Sequence, residues 1–213
     1  MGRKVHPKAF RMGQMFTWSS RWYADKKRYK NLVIQDVKLR SALMEKLSNA
    51  GAAEIVIERS ISTVKVVVYV ARPGVAIGRG GQNLEITKKY IMGFFKDTAK
   101  DVKVEIQVEP VPTPSLNAYL VGKNIAEQIE RRIPHRRAVY RAIEQVMGAG
   151  AKGVQIMLSG RIRGAEIARV EKYKEGSIPL STIREEVDFA VVPALTKSGY
   201  VGIKVWICKK TVN

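Results

Sequence analysis

The chain has 213 residues, enough for one large domain or two small ones, and its 46% hydrophobic content supplies a packed core that a disordered basic tail lacks. Its 38 Lys and Arg against 19 Asp and Glu leave a formal net charge of +19, which calls for a polyanionic partner, nucleic acid first and an acidic membrane surface second. A single cysteine, Cys208, and two histidines exclude an intrachain disulfide framework and a zinc finger, and no apolar run approaches the ~20 residues that span a bilayer.

Residues 1–17 lack apolar periodicity and read as an extended basic arm carrying Arg3, Lys4, His6, Lys8 and Arg11. No apolar segment follows these cations, so no signal peptide is expected and the compartment reads as reducing cytosol. Between Thr17 and Tyr29, Trp18, Trp22, Tyr23 and Tyr29 alternate with Arg21, Lys26, Lys27 and Arg28. Such rings can stack on bases while the cations hold phosphates, or Trp22 and its neighbours can anchor the arm to a core. Both readings stand.

From Asp36 to Asn49, Val37, Leu39, Leu43 and Leu47 mark one helix face, and Gly51 follows as the residue that ends it. Ile55–Ile57 and Val64–Val70 read as strands joined by a turn near Ser60–Thr63. After Pro73 and Gly74 comes a short apolar turn, then Gly78-Arg79-Gly80-Gly81, then a helix with Leu84, Ile91, Phe94 and Phe95 inward. Val102, Val104, Ile106 and Val108 alternate as a third strand. The run Pro110–Pro114 sustains neither a helix nor a central strand and reads as a linker. Beyond it Ser115 can cap a helix, Pro134 suits the opening of a second, and strands are predicted at Val154–Leu158, Ala165–Tyr173, Val187–Val192 and Val201–Cys208. The whole is an α+β chain: an arm (1–17), a first domain with a three-stranded sheet (18–109), a linker (110–114), and two helices on a four-stranded sheet (115–210).

The charge is unevenly spread along these parts. Residues 1–50 hold 12 basic and 3 acidic side chains, residues 51–109 hold 9 and 7, and residues 131–174 hold 11 and 3. Solvated surfaces usually mix signs, so blocks this one-sided favour a phosphate surface.

Helix, strand, strand, short helix, Gly-x-x-Gly, helix, strand is the order of a KH domain, whose glycine loop clamps the backbone of about four nucleotides. Gly78, Arg79, Gly80 and Gly81 are its candidates. A Walker loop fails because no Gly-Lys-Ser/Thr follows at the needed spacing, and a dinucleotide fingerprint fails because Asn83 stands where its third glycine belongs. The densest positive element runs from Arg131 and Arg132 through His135, Arg136 and Arg137 to Tyr140 and Arg141, with Arg137 and Arg141 one turn apart on one face. With no acidic residue among them, their mutual repulsion calls for an anionic ligand; His135 reads as a surface residue rather than a metal ligand. Arg161, Arg163 and Arg169 lie around a hairpin turn, facing phosphates or pairing with Glu166 and Glu171. Glu186 and Asp188 read as an exposed edge rather than a catalytic pair, and no histidine lies near Ser177 or Ser181 to activate either. Neither a cofactor nor a metal is expected.

Several longer motifs carry a resemblance. Met1-Gly2-Arg3-Lys4-Val5-His6-Pro7, Ala71-Arg72-Pro73-Gly74, Gly150-Ala151-Lys152-Gly153, Ser159-Gly160-Arg161, Gly164–Arg169 and Gly202–Ile207 together closely resemble the S-three family of bacterial small-subunit ribosomal proteins. The resemblance spans nearly the whole chain. It implies a type II KH domain followed by an α+β domain, no enzymatic activity, and a place in the head of the subunit bound to rRNA beside the S-ten and S-fourteen proteins. It further implies contact with mRNA where the message enters and support for its unwinding during translation, with the family's basic trio for that role falling on Arg136, Arg137 and position 140. Here that third position is Tyr140 instead of lysine. A free KH-type regulator that exchanges on and off ribosomes is the competing expectation, and a nucleic-acid-processing enzyme the third.

Overall fold

The computed structural model describes residues 4–60, 63–95 and 103–210. The chain divides into two compact units, one from Trp18 to Pro112 and one in which the described residues up to Thr17 join those from Thr113 onward.

In the first unit, β2 (Ala52–Arg59) and β3 (Thr63–Val70) pair antiparallel, and β4 (Lys103–Pro110) lies parallel to β3. A fourth strand that sequence patterning missed, β1 (Ser20–Arg21), pairs parallel to β2. Its two residues are too few to show alternation. Val102, assigned to the third predicted strand, lies outside the described residues, as do Ile61 and Ser62 of the turn. Val64, Val66, Val68 and Val70 point to one face, where Leu39 and Leu43 of α2 (Lys26–Lys46), Ala76 of α3 (Pro73–Ile77), and Ile91 and Phe95 of α4 (Gln82–Phe95) close the core. Helix α2 begins ten residues before the predicted Asp36. None of its residues before Asp36 is buried, and a stripe of apolar positions reports only the buried part of a helix. Pro110 ends β4 at the edge of the sheet, where a missing N–H is tolerated.

The second unit has an antiparallel sheet in the order β6-β5-β8-β7, built from β5 (Gly153–Gly160), β6 (Arg169–Gly176), β7 (Val187–Thr196) and β8 (Gly199–Cys208). Helices α5 (Ala118–Glu130) and α6 (His135–Gly148) cover one face through Ile125, Val139, Ile143, Ile156, Ile203 and Val205. A Cβ on Gly122 would stand 2.9 Å from Val192, so only glycine lets α5 approach β7 this closely. Asn117, not Ser115, caps α5, its side-chain oxygen accepting from the amides of Tyr119 and Leu120, each at 3.1 Å. Ser115 instead sits in a helical turn over Pro114–Leu116. Strand β6 begins four residues after the predicted Ala165 because Ile162–Gly164 form another such turn before Gly160 pairs with Arg169.

The expectation of an extended arm is corrected here. Residues Pro7–Phe10 form a helical turn, α1, which packs on β7, and the His6 ring meets Phe189 edge-on at 4.9 Å.

Candidate nucleic-acid interface

Two surfaces carry the predicted residues, one in each unit. In the first, the loop between α3 and α4 holds Gly78, Gly80 and Gly81 with φ of 75°, 61° and 82°, a region that L side chains rarely adopt. Gly78 is doubly constrained, because a Cβ there would stand 2.8 Å from the Asn83 side chain. Asn83 fills that space for a reason: its amide nitrogen donates to the carbonyl of Val75 and ties the start of α4 back to α3. No sequence signal announced that role beyond the residue's failure to be glycine. Around Gly80 and Gly81 the outward space is open, and Arg79 and Gly80 are exposed or nearly so. The result is a side-chain-free stretch of backbone with one guanidinium beside it, a shape that admits close approach of a phosphodiester.

In the second unit, α6 buries His135, Ala138, Val139, Ala142, Ile143 and Val146, which leaves Arg136, Arg137, Tyr140 and Arg141 pointing outward. The 3.6-residue period produces this segregation. Arg136 and Tyr140 share one outward row and Arg137 and Arg141 the next. The Tyr140 ring, 55% exposed, meets Tyr173 of β6 edge-on at 5.6 Å. Tyr173 donates its hydroxyl to Glu171, and His135 Nε2 lies 2.9 Å from the same carboxylate oxygen. The hydrogen bond from Tyr173, followed by those of His135 and the charge of Arg136, holds the Glu171 carboxyl below the usual range. Burial first, and then Glu171, pushes the Tyr173 phenol up. One carboxylate thus fixes the start of the basic helix to the sheet. Sequence reasoning missed it, although Glu171 and Tyr173 stand two apart on one strand face, which was a usable signal. His135 is buried rather than a surface residue, because its ring is needed to reach Glu171.

Arg131 and Arg132 are exposed at the end of α5. The amides of Arg132 and Ile133 donate to the carbonyls of Ile129 and Gln128, the paired bonds of a Schellman ending. That ending places Arg132 at φ 62°. Arg161, Arg163 and Arg169 are exposed around the β5–β6 connection, and Arg163 has φ 60°. Arg161 donates to the Ala165 carbonyl at 2.8 Å, while Glu171, one of the acids that could have paired with these arginines, is committed to His135 and Tyr173.

The basic arm is corrected residue by residue. Arg11 is fully buried, and its guanidinium donates to five carbonyls, those of Pro7, Pro179, Leu180, Thr182 and Glu185, so it is not available to a phosphate. Lys8 pairs with Asp188 at 2.8 Å. Asp188 is itself buried and accepts from the amides of Ala118 and Phe189, so the expectation of an exposed edge at this position fails. His6 Nδ1 accepts from the Ala9 amide as the cap of α1. Lys4 is exposed, and Arg3 lies outside the described residues. Trp22 takes the anchoring side of its two readings: its indole N–H donates to the buried Asp36 at 2.7 Å. The same carboxylate accepts from Ser20 and from both Nε and Nη2 of Arg59, which lies between the Trp22 and Phe95 rings. Trp18 and Tyr23 remain exposed, at 68% and 92%.

Among the described residues no group of three or more His, Cys, Asp or Glu side chains could hold a metal ion, and no helix is long and apolar enough to cross a membrane.

Residues 38–116 match the KH domain family, and residues 125–207 match the family described as ribosomal protein S3, C-terminal domain. The chain is similar over its whole length to proteins called small ribosomal subunit protein uS3. That of Desulforamulus reducens is 47% identical over 212 residues, covering 100% of this chain and 94% of the relative. Those of Hydrogenovibrio crunogenus and Shewanella frigidimarina are 44% and 42% identical, covering 98% and 100% of this chain and 90% of each relative. With both halves matched in order and relatives this similar from end to end, the chain belongs to the uS3 family of small ribosomal subunit proteins.

Proposed function

We propose that this protein is a structural constituent of the small ribosomal subunit, bound to rRNA in the subunit head and in contact with mRNA where the message enters. The observation that carries the reading is the outward face of α6, where Arg136, Arg137 and Arg141 stand exposed around Tyr140 while the opposite face is consumed by the core. Guanidinium groups hold phosphates through paired N–H donors, and an exposed tyrosine adds a stacking surface that tolerates any base. A loop built like Gly78–Gly81 supports a second RNA contact through the backbone. In this reading residues 18–109 are the KH domain, 110–114 the linker and 115–210 the second domain. The neighbours are the S-ten and S-fourteen proteins of the head, the compartment is the cytoplasm, and the protein performs no catalysis.

Sedimentation of lysate through a high-salt sucrose gradient tests the assignment. Retention at near one copy per small subunit is expected, whereas release to the top of the gradient points to an exchanging KH-type regulator instead. Replacing Arg136 and Arg137 by alanine is expected to slow translation of mRNA with a stable hairpin near its start more than it reduces the yield of small subunits. Equal loss of both removes the mRNA role from α6.

A further inference from the structure

A cleft of about 540 Å³ opens in the second unit where the end of α5, the start of α6, the β5–β6 connection and the β7–β8 turn meet. Its size falls in the ~300–1,000 Å³ range of small-molecule sites. Leu158, Ile162 and Val201 make an apolar interior, and Arg132, Arg161, Arg163 and Lys197 stand at its walls. The one acid lining it, Glu130, is already accepting from the Leu195 amide at 3.0 Å.

Three features mark the cleft as built for a ligand. Arg132 and Arg163 are the only non-glycine residues among those described with positive φ; Arg132 owes its φ to the Schellman ending of α5, whereas Arg163, with no helix to end, lines the cleft in that conformation. Left-handed backbone on side chains with a Cβ is unfavourable and concentrates at binding sites. His135, only 6% exposed, also lines it, and its Nδ1 is buried with no hydrogen-bond partner among the described residues. Finally, His135 begins a helix whose cap position is held by Pro134, so no side chain caps its first amides. An uncapped amino terminus of this kind attracts anions.

The chemistry of these groups narrows the ligand. With Nε2 taken up by Glu171, Nδ1 is the ring nitrogen left to meet a polar group of a ligand. The cations call for phosphate, and the interior of Leu158, Ile162 and Val201 calls for an apolar surface such as the face of a base. A ribonucleotide carries all three. We propose that this cleft binds one unstacked nucleotide of single-stranded RNA, base inward and phosphate on the arginines. The proposal rests on the RNA-binding reading above and extends it to a site that the KH loop and the outward face of α6 do not include.

The full chain, titrated at 150 mM salt with each of the four nucleoside 5′-monophosphates, inorganic phosphate and a single-stranded tetranucleotide, tests it by saturation-transfer NMR and equilibrium dialysis. Base protons of at least one mononucleotide are expected to receive saturation, and the tetranucleotide is expected to bind at least tenfold more tightly than inorganic phosphate. Arg132→Gly with Arg163→Gly, which suits both backbones, is expected to weaken the tetranucleotide at least tenfold. Ser198→Trp, which fills the cleft from the β7–β8 turn, is expected to abolish saturation of the base. Mononucleotide binding without gain in the tetranucleotide assigns the cleft to a free nucleotide and overturns the RNA source. Phosphate binding as tightly as any nucleotide overturns the site as a nucleotide pocket, as does unchanged binding in both variants. Displacement by an acidic peptide in the absence of any nucleotide signal overturns it in favour of a protein partner. Retention of Ser198→Trp on small subunits in the gradient above separates failure of this site from failure of the ribosomal assignment.

Discussion

Arg11 is a buried cation that makes no ion pair with a carboxylate among the described residues; five carbonyl dipoles balance it, four of them from the stretch between β6 and β7. Its planar fork holds that stretch in a way that an ammonium, with three donors at one point, cannot. Arg11→Met keeps most of the volume and orphans the acceptors, so it is expected to cost about 3 kcal/mol of stability in urea unfolding, with Arg11→Lys recovering little. A loss under ~1 kcal/mol, the size of an ordinary surface change, would show the acceptors finding water instead. His6 gives a pH dependence on the same segment. Burial first, then the neighbouring Lys8, lowers its pKa below 6.5, and protonation removes the Nδ1 lone pair that caps α1. A histidine whose folded pKa is lowered contributes its full share above the unfolded value and loses it as pH falls through the folded one. Protection of the Ala9 and Phe10 amides from exchange is therefore expected to hold near pH 7.5 and to weaken toward pH 5. Constant protection across that range rules out the cap.

Elements show where a periodic pattern is informative and where it is silent. The basic face of α6 was legible because Ala138, Val139, Ala142, Ile143 and Val146 gather on one side of the helix and leave the other open to charge. The first ten residues of α2 were not, since a helical stretch with no fully buried side chain has no stripe to read. The glycine loop was legible as composition, but its two constraints differ in kind and separate by mutation. Gly78→Ala meets both a left-handed backbone and the Asn83 side chain at 2.8 Å, while Gly80→Ala meets only the backbone cost in open space. Thermal unfolding of the full chain is expected to place Gly78→Ala below Gly80→Ala, with the latter costing about 1–2 kcal/mol. The reverse order is incompatible with the Asn83 tie.

For the whole molecule, a formal charge of +19 makes affinity for RNA steeply salt-dependent. Each phosphate that a single-stranded complex no longer neutralises makes the slope of log K against log salt shallower by ~0.7, so Arg136→Ala with Arg137→Ala is expected to reduce it by about 1.4. Fluorescence titrations of single-stranded RNA over a salt series measure this directly, and an unchanged slope takes both arginines off the phosphate path. Composition alone pointed to a polyanionic partner, and local order alone gave the α+β class and the glycine loop, because charge totals and apolar periods are properties of neighbouring residues. Tertiary structure decided which of the predicted contact residues are held inside the fold. Arg11 and Lys8 read from sequence like Arg136 and Arg137, yet both are held by carbonyls or a carboxylate far along the chain, while Asp36 settles Trp22 on the anchoring side of its two readings. The pairing of a side chain with a distant acceptor leaves no trace in its own neighbourhood. The same holds for the cleft: its walls come from α5, α6, the β5–β6 connection and the β7–β8 turn, segments that only folding brings together.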